Sequence, residues 1–360
     1  MTVPTVDADA HVNENPFDWG GVEARHPGWL GVTSSGGRDV LEIEGRPYPL
    51  QEGPGRGAPV DASVNPAAAA GARDVRTRLG DMDAEGIDIQ VLYGGLVIGA
   101  TGITDVGLAA DMCAAYNSWL LDDVCAEDPD RLKAVAAVPL QDTRRSVDEL
   151  RRAVDRGAVG VTVPPALSDR NLDDGTLTPF FEAAAGLGTA VAVHGAPGMH
   201  VPLPAAERFT NYAQVHALSF PTDQMVALTS LAMGGVLDRF PTLRVAFLES
   251  GVGWVPFFAA RVDEHFEKLR DMLPAMTTPV TELIARGQCY FSFECEETLL
   301  EPYVEHLGAE SLVFASDYPH WDGEFPGTAA EATRRAQPLG TETVAAVMGG
   351  NALRLYGLDS

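Results

Sequence analysis

The stretch VDADAHVNENP, residues 6–16, places three ionisable side chains at alternate positions soon after the start of the chain. These residues are Asp7, Asp9 and His11. On a regular β-strand alternate side chains share a face, so Asp9 and His11 can reach one point in space, with Asp7 behind them. A carboxylate and an imidazole at this spacing are suited to bind one metal ion. The stretch therefore predicts a first strand that ends at a ligand-binding site.

Seven further β-branched or apolar runs follow, separated by longer helical patterns, which is typical of repeated βα units around a parallel sheet. The rival fold is a doubly wound open sheet, but no GxGxxG turn follows the first strand. We therefore predict an α/β fold, a (β/α)8 TIM barrel formed as one domain by residues 1–360. Its strands are predicted at residues 5–11, 87–95, 133–141, 158–166, 188–196, 243–251, 289–297 and 311–319.

Residues 13–73 interrupt this rhythm, because about 60 residues separate the first strand from the first helix, where a few would suffice. The segment contains the hairpin-like VLEIEGRPYPL and the Gly/Pro/Ala-rich run QEGPGRGAPVDASVNPAAAAG, which is typical of a connector. An insertion after the first strand of a barrel lies over the mouth of the barrel. We expect residues 13–73 to form a lid there, and a packed or partly disordered surface decoration is the alternative.

Composition excludes several classes of partner. The chain has 360 residues, 46% of them hydrophobic, and a net charge of 25 − 51 = −26, which opposes binding to nucleic acid or anionic membranes. Neither a secretory signal nor a run of about 18 apolar residues occurs, so we expect a cytoplasmic protein. The four cysteines lack CxxC spacing and are expected to be free thiols.

Three later strands also end in metal-ligand types before a Gly or Pro turn: His194 in AVAVHGAPG, Glu249 in VAFLESGVGW and Asp317 in FASDYPH. A single histidine at a strand end is often structural, and Asp317 alone would suit a turn cap. In a barrel, however, all these strand ends meet at one mouth. Buried carboxylates are costly unless they are paired or bind a cation, so the cluster predicts a metal site.

The chain resembles the amidohydrolase superfamily, in particular the branch of aminocarboxymuconate-semialdehyde and resorcylate-type decarboxylases, known as amidohydrolase 2. The resemblance rests on DADAHVNE, RLGDMDAEGIDIQVLY, AVAVHG, FPTLRVAFLESGVGWVPFFAARVDEHFE, LVFASDYPHWDG and GNALRLYGL, which together span nearly the full length. It implies one divalent metal ion held by Asp9, His11, His194 and Asp317. It also allows a homodimer.

Two departures from the family pattern affect the choice of metal. The usual HxH of the first strand is Asp9-Ala10-His11 here, and Glu249 replaces the usual sixth-strand histidine. Both changes favour oxygen ligands, so Mn²⁺ or iron becomes at least as plausible as Zn²⁺. Two-metal members often use a carbamylated lysine, but Lys133 and Lys268, the chain's lysines, are misplaced for that role. One ion is the default, although Glu249 could bridge two.

Three further residues are weaker site predictions. His216, in NYAQVHALSF, is placed near the mouth by the family analogy, although packing at the start of a helix explains it equally well. Glu294 lies near the end of strand seven, and His320 follows Asp317 closely. Each of these residues could complete the shell of a second ion or line the pocket.

The leading functional hypothesis is a metal-dependent lyase (decarboxylase) or hydrolase acting on a small cyclic or carboxylated molecule. Asp317 would act as ligand and proton shuttle, and Glu249 and His216 are the other residues assigned to catalysis. The first alternative is a non-haem oxygenase with two iron ions on the same barrel, since non-haem iron favours mixed acid and histidine ligands. The second is a binding protein that retains the fold without catalysis.

Overall fold

Eight parallel strands form the central sheet of the computed structural model, which describes residues 3–35, 37–59 and 63–358. Their order along the sheet is β1-β5-β6-β7-β8-β9-β10-β11. The Asp317 amide donates to the Asp9 carbonyl over 3.1 Å, and the His11 amide donates to the Tyr318 carbonyl, which closes the sheet. The predicted (β/α)8 TIM barrel is confirmed, with strands β1 (Val6–Val12), β5 (Ile89–Gly94), β6 (Leu132–Ala137), β7 (Gly160–Val163), β8 (Ala190–Val193), β9 (Val245–Phe247), β10 (Cys289–Phe293) and β11 (Leu312–Phe314).

Helices separate the strands and surround the barrel. Within the described part of the chain, no helix is both long enough and apolar enough to span a bilayer. The helices are α1 (Gly20–Arg25), α2 (Val75–Glu85), α3 (Val106–Trp119), α4 (Thr143–Asp155), α5 (Thr178–Leu187), α6 (Tyr212–Met233), α7 (Val236–Arg239), α8 (Val255–Lys268), α9 (Val280–Ala285), α10 (Leu300–Leu307), α11 (Thr328–Ala336), α12 (Thr341–Ala345) and α13 (Asn351–Tyr356).

The strands divide their apolar side chains between two layers, as the two-residue period of a strand requires. Alternate positions such as Leu92, Val193 and Phe247 pack against the helices. The intervening positions fill the barrel interior and are mostly small, which suits the narrow space inside eight strands. They include Val91, Tyr93, Val135, Ala190, Ala192, Ala246, Tyr290 and Val313.

The C-terminal helix α13 closes the end of the barrel opposite the mouth. Its Tyr356 belongs to the interior layer and donates a hydrogen bond to the Ala8 carbonyl over 2.8 Å. The hydroxyls of Tyr356 and Tyr93 lie 2.6 Å apart. Buried tyrosine hydroxyls need such hydrogen-bond partners. This pair therefore fixes the packing of the barrel interior directly beneath the residues of the mouth.

Strand β1 contains a β-bulge, which changes which face each acidic residue occupies. Asp7 pairs with Gln90, whereas Ala10 pairs with Leu92, so one extra residue of β1 is accommodated between these pairs. Ala8 consequently lies in the interior layer, whereas Ala10 packs in the outer layer. Asp9 and His11 face the interior together, as predicted, but Asp7 faces outward with Gln90. The regular alternation expected for all three residues is interrupted here.

The segment 13–73 carries its own three-stranded antiparallel sheet, formed by β2 (Leu30–Ser35), β3 (Arg38–Ile43) and β4 (Arg46–Pro47). The hairpin-like VLEIEGRPYPL accordingly spans parts of β3 and β4. Backbone hydrogen bonds attach the described part of the segment to loops that follow barrel strands: the Leu50 amide donates to Gly198, the Gly55 amide to Phe209 and the Asn65 amide to Pro319.

One carboxylate in the helical layer lacks any hydrogen-bond partner. Asp223 of α6 is 1% exposed, and neither of its side-chain oxygens is hydrogen-bonded. Burial, reinforced by the charge of Glu207, raises the pKa of Asp223 to about 8. The neutral acid is therefore the form that the folded protein holds near neutral pH.

This raised pKa predicts a specific pH dependence of stability. The folded state binds the Asp223 proton more tightly than the unfolded state, so the stabilisation is complete below about pH 4 and is lost as the pH rises towards 8. In Asp223→Asn this contribution is absent, because the amide does not titrate. Between pH 5 and 8 the free energy of unfolding of the wild type should fall by on the order of 3 kcal/mol more than that of the variant.

Urea denaturation of both chelator-treated proteins at several pH values measures this difference. All other titrating groups are common to the two proteins and cancel in the comparison. Parallel pH profiles for the two proteins would contradict the prediction.

Candidate metal centre and substrate pocket

The predicted ligands come together at the carboxyl ends of the barrel strands. Asp9 and His11 lie near the end of β1, and His194 directly follows β8. Glu249 follows β9 and Asp317 follows β11, and both adopt left-handed backbone conformations, with φ of 51° and 53°. Such conformations are unusual for residues other than glycine and concentrate at functional sites.

Six side chains form two overlapping sets of four donors within metal-binding range. The first set is Asp9, His11, His194 and Glu249; the second is His11, Glu249, Asp317 and His320. Within each set the donor atoms all lie within 4.8 Å of one another. Asp317, which the resemblance assigns to the same ion as Asp9 and His194, belongs to the second set. Its Oδ1 lies 3.4 Å from His11 Nε2.

The imidazoles of His11 and His194 are oriented for coordination. His11 Nδ1 lies 3.0 Å from the Gly94 carbonyl, and His194 Nδ1 lies 2.7 Å from the Gly195 carbonyl. A carbonyl only accepts, so each Nδ1 carries a hydrogen and each ring directs its Nε2 at the cluster. Both Nε2 atoms and both oxygens of Asp9 are buried without hydrogen bonds. These unsatisfied atoms fit a bound cation.

The electrostatics of the cluster support the same conclusion. Burial, and then the Glu249 charge, raises the pKa of Asp9 and of Asp317 well above the usual range. Burial also opposes ionisation of Glu249, but His194 and His11 outweigh it and hold the pKa of Glu249 well below its usual value. Burial lowers the pKa of His11 to about 4. Without a cation these carboxylates compete for ionisation; a divalent ion would let them ionise together.

Asp7 supports the cluster from the outer face of β1. Its Oδ1 accepts the Ser316 amide over 2.9 Å, its Oδ2 accepts the Ser316 hydroxyl, and the Gln90 amide group donates to Oδ2 over 3.0 Å. Arg78 of α2 is 1% exposed and donates to Gln90 and to the His11 carbonyl. Asp7 therefore links the strand that carries Asp9 to the residue immediately before Asp317.

The three residues that were weaker site predictions, His216, Glu294 and His320, lie at different places around the cluster. His320 belongs to the second donor set, and its Nδ1 lies 2.6 Å from Asp317 Oδ1. His216 lies in the first turns of α6, 3.2 Å from Asp322 Oδ2, and outside both donor sets. Glu294 follows β10 and lines a side cavity of about 180 Å³, which it shares with His216, Glu249 and Asp317. Burial, followed by the charge of Glu296, raises the pKa of Glu294 to about 8.

A larger pocket of about 410 Å³ lies over the cluster, and His11, His194, Glu249 and Asp317 form part of its lining. Its other walls are largely apolar and aromatic, including Phe17, Leu41, Tyr48, Leu96, Ile98, Met199, Tyr212, Phe220 and Trp321. A pocket of this size and character suits a small organic molecule with one polar end directed at the cluster.

Two residues of the pocket were missed by the sequence reasoning. Among the described residues that line it, Arg73 is the one lysine or arginine. The second is Asp322, the partner of His216. The DYPHWDG motif already contains Asp322, but Arg73 closely follows the Gly/Pro/Ala-rich run, where no pattern distinguishes it.

The closed barrel and the buried donor cluster at its mouth are typical of TIM-barrel enzymes that use a metal ion. The family model described as Amidohydrolase (amidohydrolase 2) matches residues 6–358, and the chain belongs to this family. The resemblance seen in the sequence is thereby confirmed.

Named relatives are decarboxylases. The chain is 30% identical over 289 residues to 2-amino-3-carboxymuconate-6-semialdehyde decarboxylase of Dictyostelium discoideum, covering 79% of this chain and 77% of the relative. It is 26% identical over 266 residues to gamma-resorcylate decarboxylase of a Polaromonas species, covering 69% and 77%. The crystal structure of a dihydroxybenzoic acid decarboxylase from Polaromonas, with bound manganese and 2-nitroresorcinol, superposes with a TM-score of 0.72 at 18% identity, covering 100% of this chain and 98% of that one.

The outer-face contacts of Asp7 predict an effect on metal affinity. Asp7→Asn replaces one acceptor oxygen with an NH2 group, which donates and cannot accept, so part of the hydrogen bonding from Ser316 and Gln90 is lost and the link between the strand carrying Asp9 and Asp317 is weakened. Mn²⁺ affinity should fall roughly tenfold to a hundredfold, as it does when outer partners of metal ligands are removed. Competition with a chelator measures this affinity. Asp39→Asn, the same change at an exposed position of β3, should bind like the wild type, and equal affinities in all three proteins would contradict the prediction.

Proposed function

We propose that this protein is a metal-dependent decarboxylase of a small aromatic or other unsaturated cyclic carboxylate. The observation that carries the proposal is the cluster of unsatisfied buried donors at the base of an apolar pocket large enough for a single ring. The named relatives support decarboxylation over hydrolysis, and they lend no support to the oxygenase hypothesis. The family membership argues against a binding protein without catalysis.

The residues proposed to hold the ion are Asp9, His11 and His194, with Glu249 and Asp317 beside them. Two imidazoles and three carboxylates suit Mn²⁺ or iron at least as well as Zn²⁺. The manganese bound by the Polaromonas enzyme supports Mn²⁺ as the first metal to test. When bound, the ion would supply Lewis-acid polarisation of a substrate oxygen next to the carboxylate.

The protein residues then have to manage one proton. Decarboxylation breaks the bond between the ring carbon and the carboxylate; carbon dioxide leaves, and the bonding electron pair remains on the ring carbon, which must take up a proton. We assign this proton delivery to Asp317, which lines the pocket. His320 Nδ1 lies 2.6 Å from Asp317 Oδ1 and holds this carboxylate at the pocket wall.

Glu249 and His216 are proposed to position the groups that take part in this step. The Glu249 carboxylate faces His11 and His194 at 3.3 and 3.5 Å, and its charge keeps their Nε2 atoms directed at the cluster. His216, paired with Asp322, stands on the pocket wall close to Phe220 and Trp321. From this position it would contact the ring and donate a hydrogen bond to a polar substituent.

Residues 13–73 are proposed to form the lid. Asn13–Phe17, Leu41, Tyr48, Pro49, Ala58, Ser63, Val64 and Arg73 all contribute to the pocket lining. A cover of this kind keeps water away from the reacting carbon, which strengthens the electrostatic interactions beneath it. Glu14, at the start of the segment, accepts the amides of Gly95, Leu96 and Val97 and so anchors the cover to the end of β5.

We further propose a cytoplasmic location and a homodimer. All four cysteines are buried free thiols, which fits a reducing compartment. Phe257 on α8 is 65% exposed and offers apolar surface for a second copy of the chain. A small molecule is the partner proposed for the pocket.

The decarboxylase proposal is tested with ¹³C-carboxyl hydroxybenzoates and related ring carboxylates, measuring labelled carbon dioxide by mass spectrometry. The Mn²⁺-loaded wild type should release it from at least one of them. His11→Ala and Asp317→Asn should each lower kcat by at least roughly a thousandfold, because each removes a group at the reacting centre, with unchanged circular dichroism. His306→Ala, an exposed change on α10, serves as control. Cleavage of amides or lactones without carbon dioxide release would identify a hydrolase instead.

Arg73 predicts how the carboxylate enters. As the one cationic side chain that the described pocket residues offer besides histidine, it is placed to attract an anionic group into a pocket rich in acids. Arg73→Gln should raise KM roughly tenfold with a smaller change in kcat, since a hydrogen bond to a charged group contributes about 1.5–3 kcal/mol. Arg76→Gln, the same change at an exposed position in the first turn of α2, is the matched control. Equal KM values for the two variants would refute this role.

A further inference from the structure

The two donor sets share Glu249 and divide its oxygens between them. Oε2 lies 3.5 Å from His194 Nε2, on the side of Asp9. Oε1 lies 3.4 Å from His320 Nδ1, on the side of Asp317. A carboxylate whose oxygens face different donors has the arrangement that bridges two cations. An imidazole at this position could not do so, because it has one lone pair available on that side.

Each side of Glu249 has donors of its own. Asp9 and His194 are found in the first set, and Asp317 and His320 in the second. His11 belongs to both, with its Nε2 3.4 Å from Asp9 Oδ1 and 3.4 Å from Asp317 Oδ1. The His11 side chain is 1% exposed and its Nε2 lacks a hydrogen bond, so it points an unsatisfied lone pair between the two sides.

Charge and space are consistent with two ions. Asp9, Glu249 and Asp317 carry more negative charge than one divalent ion neutralises, whereas two divalent ions leave one positive charge, which an anionic substrate would balance. The second side also borders the cavity of about 180 Å³ lined by Glu249, Glu294 and Asp317, where water can complete a coordination shell.

We propose that the mouth binds two divalent ions bridged by Glu249, one with Asp9 and His194 and the other with Asp317 and His320. The proposal rests on the metal dependence of the proposed function but not on decarboxylation. It assigns Glu249 a role that the usual histidine of the sixth strand could not fulfil.

The test titrates chelator-treated protein with Mn²⁺ and follows bound metal by equilibrium dialysis and its electron paramagnetic resonance spectrum. The wild type should saturate at about two ions per chain, with a weakened, coupled spectrum, because a bridging carboxylate couples the two ions. Glu249→Gln and His320→Phe should each saturate at about one ion and give the six-line spectrum of isolated Mn²⁺. His265→Phe, the same substitution at a half-buried position of α8 outside both donor sets, should behave as the wild type.

Two results would overturn the proposal: saturation of the folded wild type at one ion with a six-line spectrum, or two coupled ions retained in both Glu249→Gln and His320→Phe. The ¹³C assay separates this proposal from the preceding one. Saturation at one ion together with release of labelled carbon dioxide would refute the two-ion proposal and support the decarboxylase proposal. Two coupled ions without any release of labelled carbon dioxide would support the two-ion proposal and refute the decarboxylase proposal.

Discussion

The constraint on which the site depends is the burial of like charges. Asp9, Glu249 and Asp317 converge at the mouth of a barrel whose interior is otherwise filled by alanine, valine and tyrosine. These groups are at most slightly exposed, and their ion-pair partners among the described residues are histidines, so no arginine or lysine offsets their charge directly. The histidines compensate only in part, as the lowered pKa of His11 shows. In the folded protein, therefore, the negative charge at the mouth of the barrel is balanced only when a cation binds there.

The rigidity needed to hold this arrangement comes from the layers behind it. Tyr356 and Tyr93 fix the floor, while Asp7, Gln90 and Arg78 lock the outer face of the first strand. Ligands held from both sides lose little conformational freedom on binding an ion, which favours affinity. The left-handed backbone at Glu249 and Asp317 indicates that the surrounding contacts outweigh local preference at the two strand ends where carboxylates enter the mouth.

Sequence periodicity predicted the barrel and its eight strands because strands buried on both faces read as apolar runs bounded by turns. The predicted segments extend past the observed ends: residues 243–251 shorten to Val245–Phe247, because Glu249 leaves the sheet to enter the mouth. Strand-end position also brought Asp9, His11, His194, Glu249 and Asp317 forward as site residues. Arg73 was beyond reach, because its approach to the pocket depends on how residues 13–73 fold back over the barrel, which no local pattern encodes.

The bulge in β1 has a consequence for recognising related proteins. One extra residue between Asp7 and Ala10 turns the first carboxylate outward, where it supports the strand, while Asp9 and His11 face the donor cluster. In a relative whose first strand is regular, the same sequence would direct all three ionisable side chains of the motif into the barrel. The set of ligands offered there would then be different. The sequence of this motif therefore does not by itself reveal which of its side chains can act as ligands. The regularity of the strand decides how many of its acids face the donor cluster.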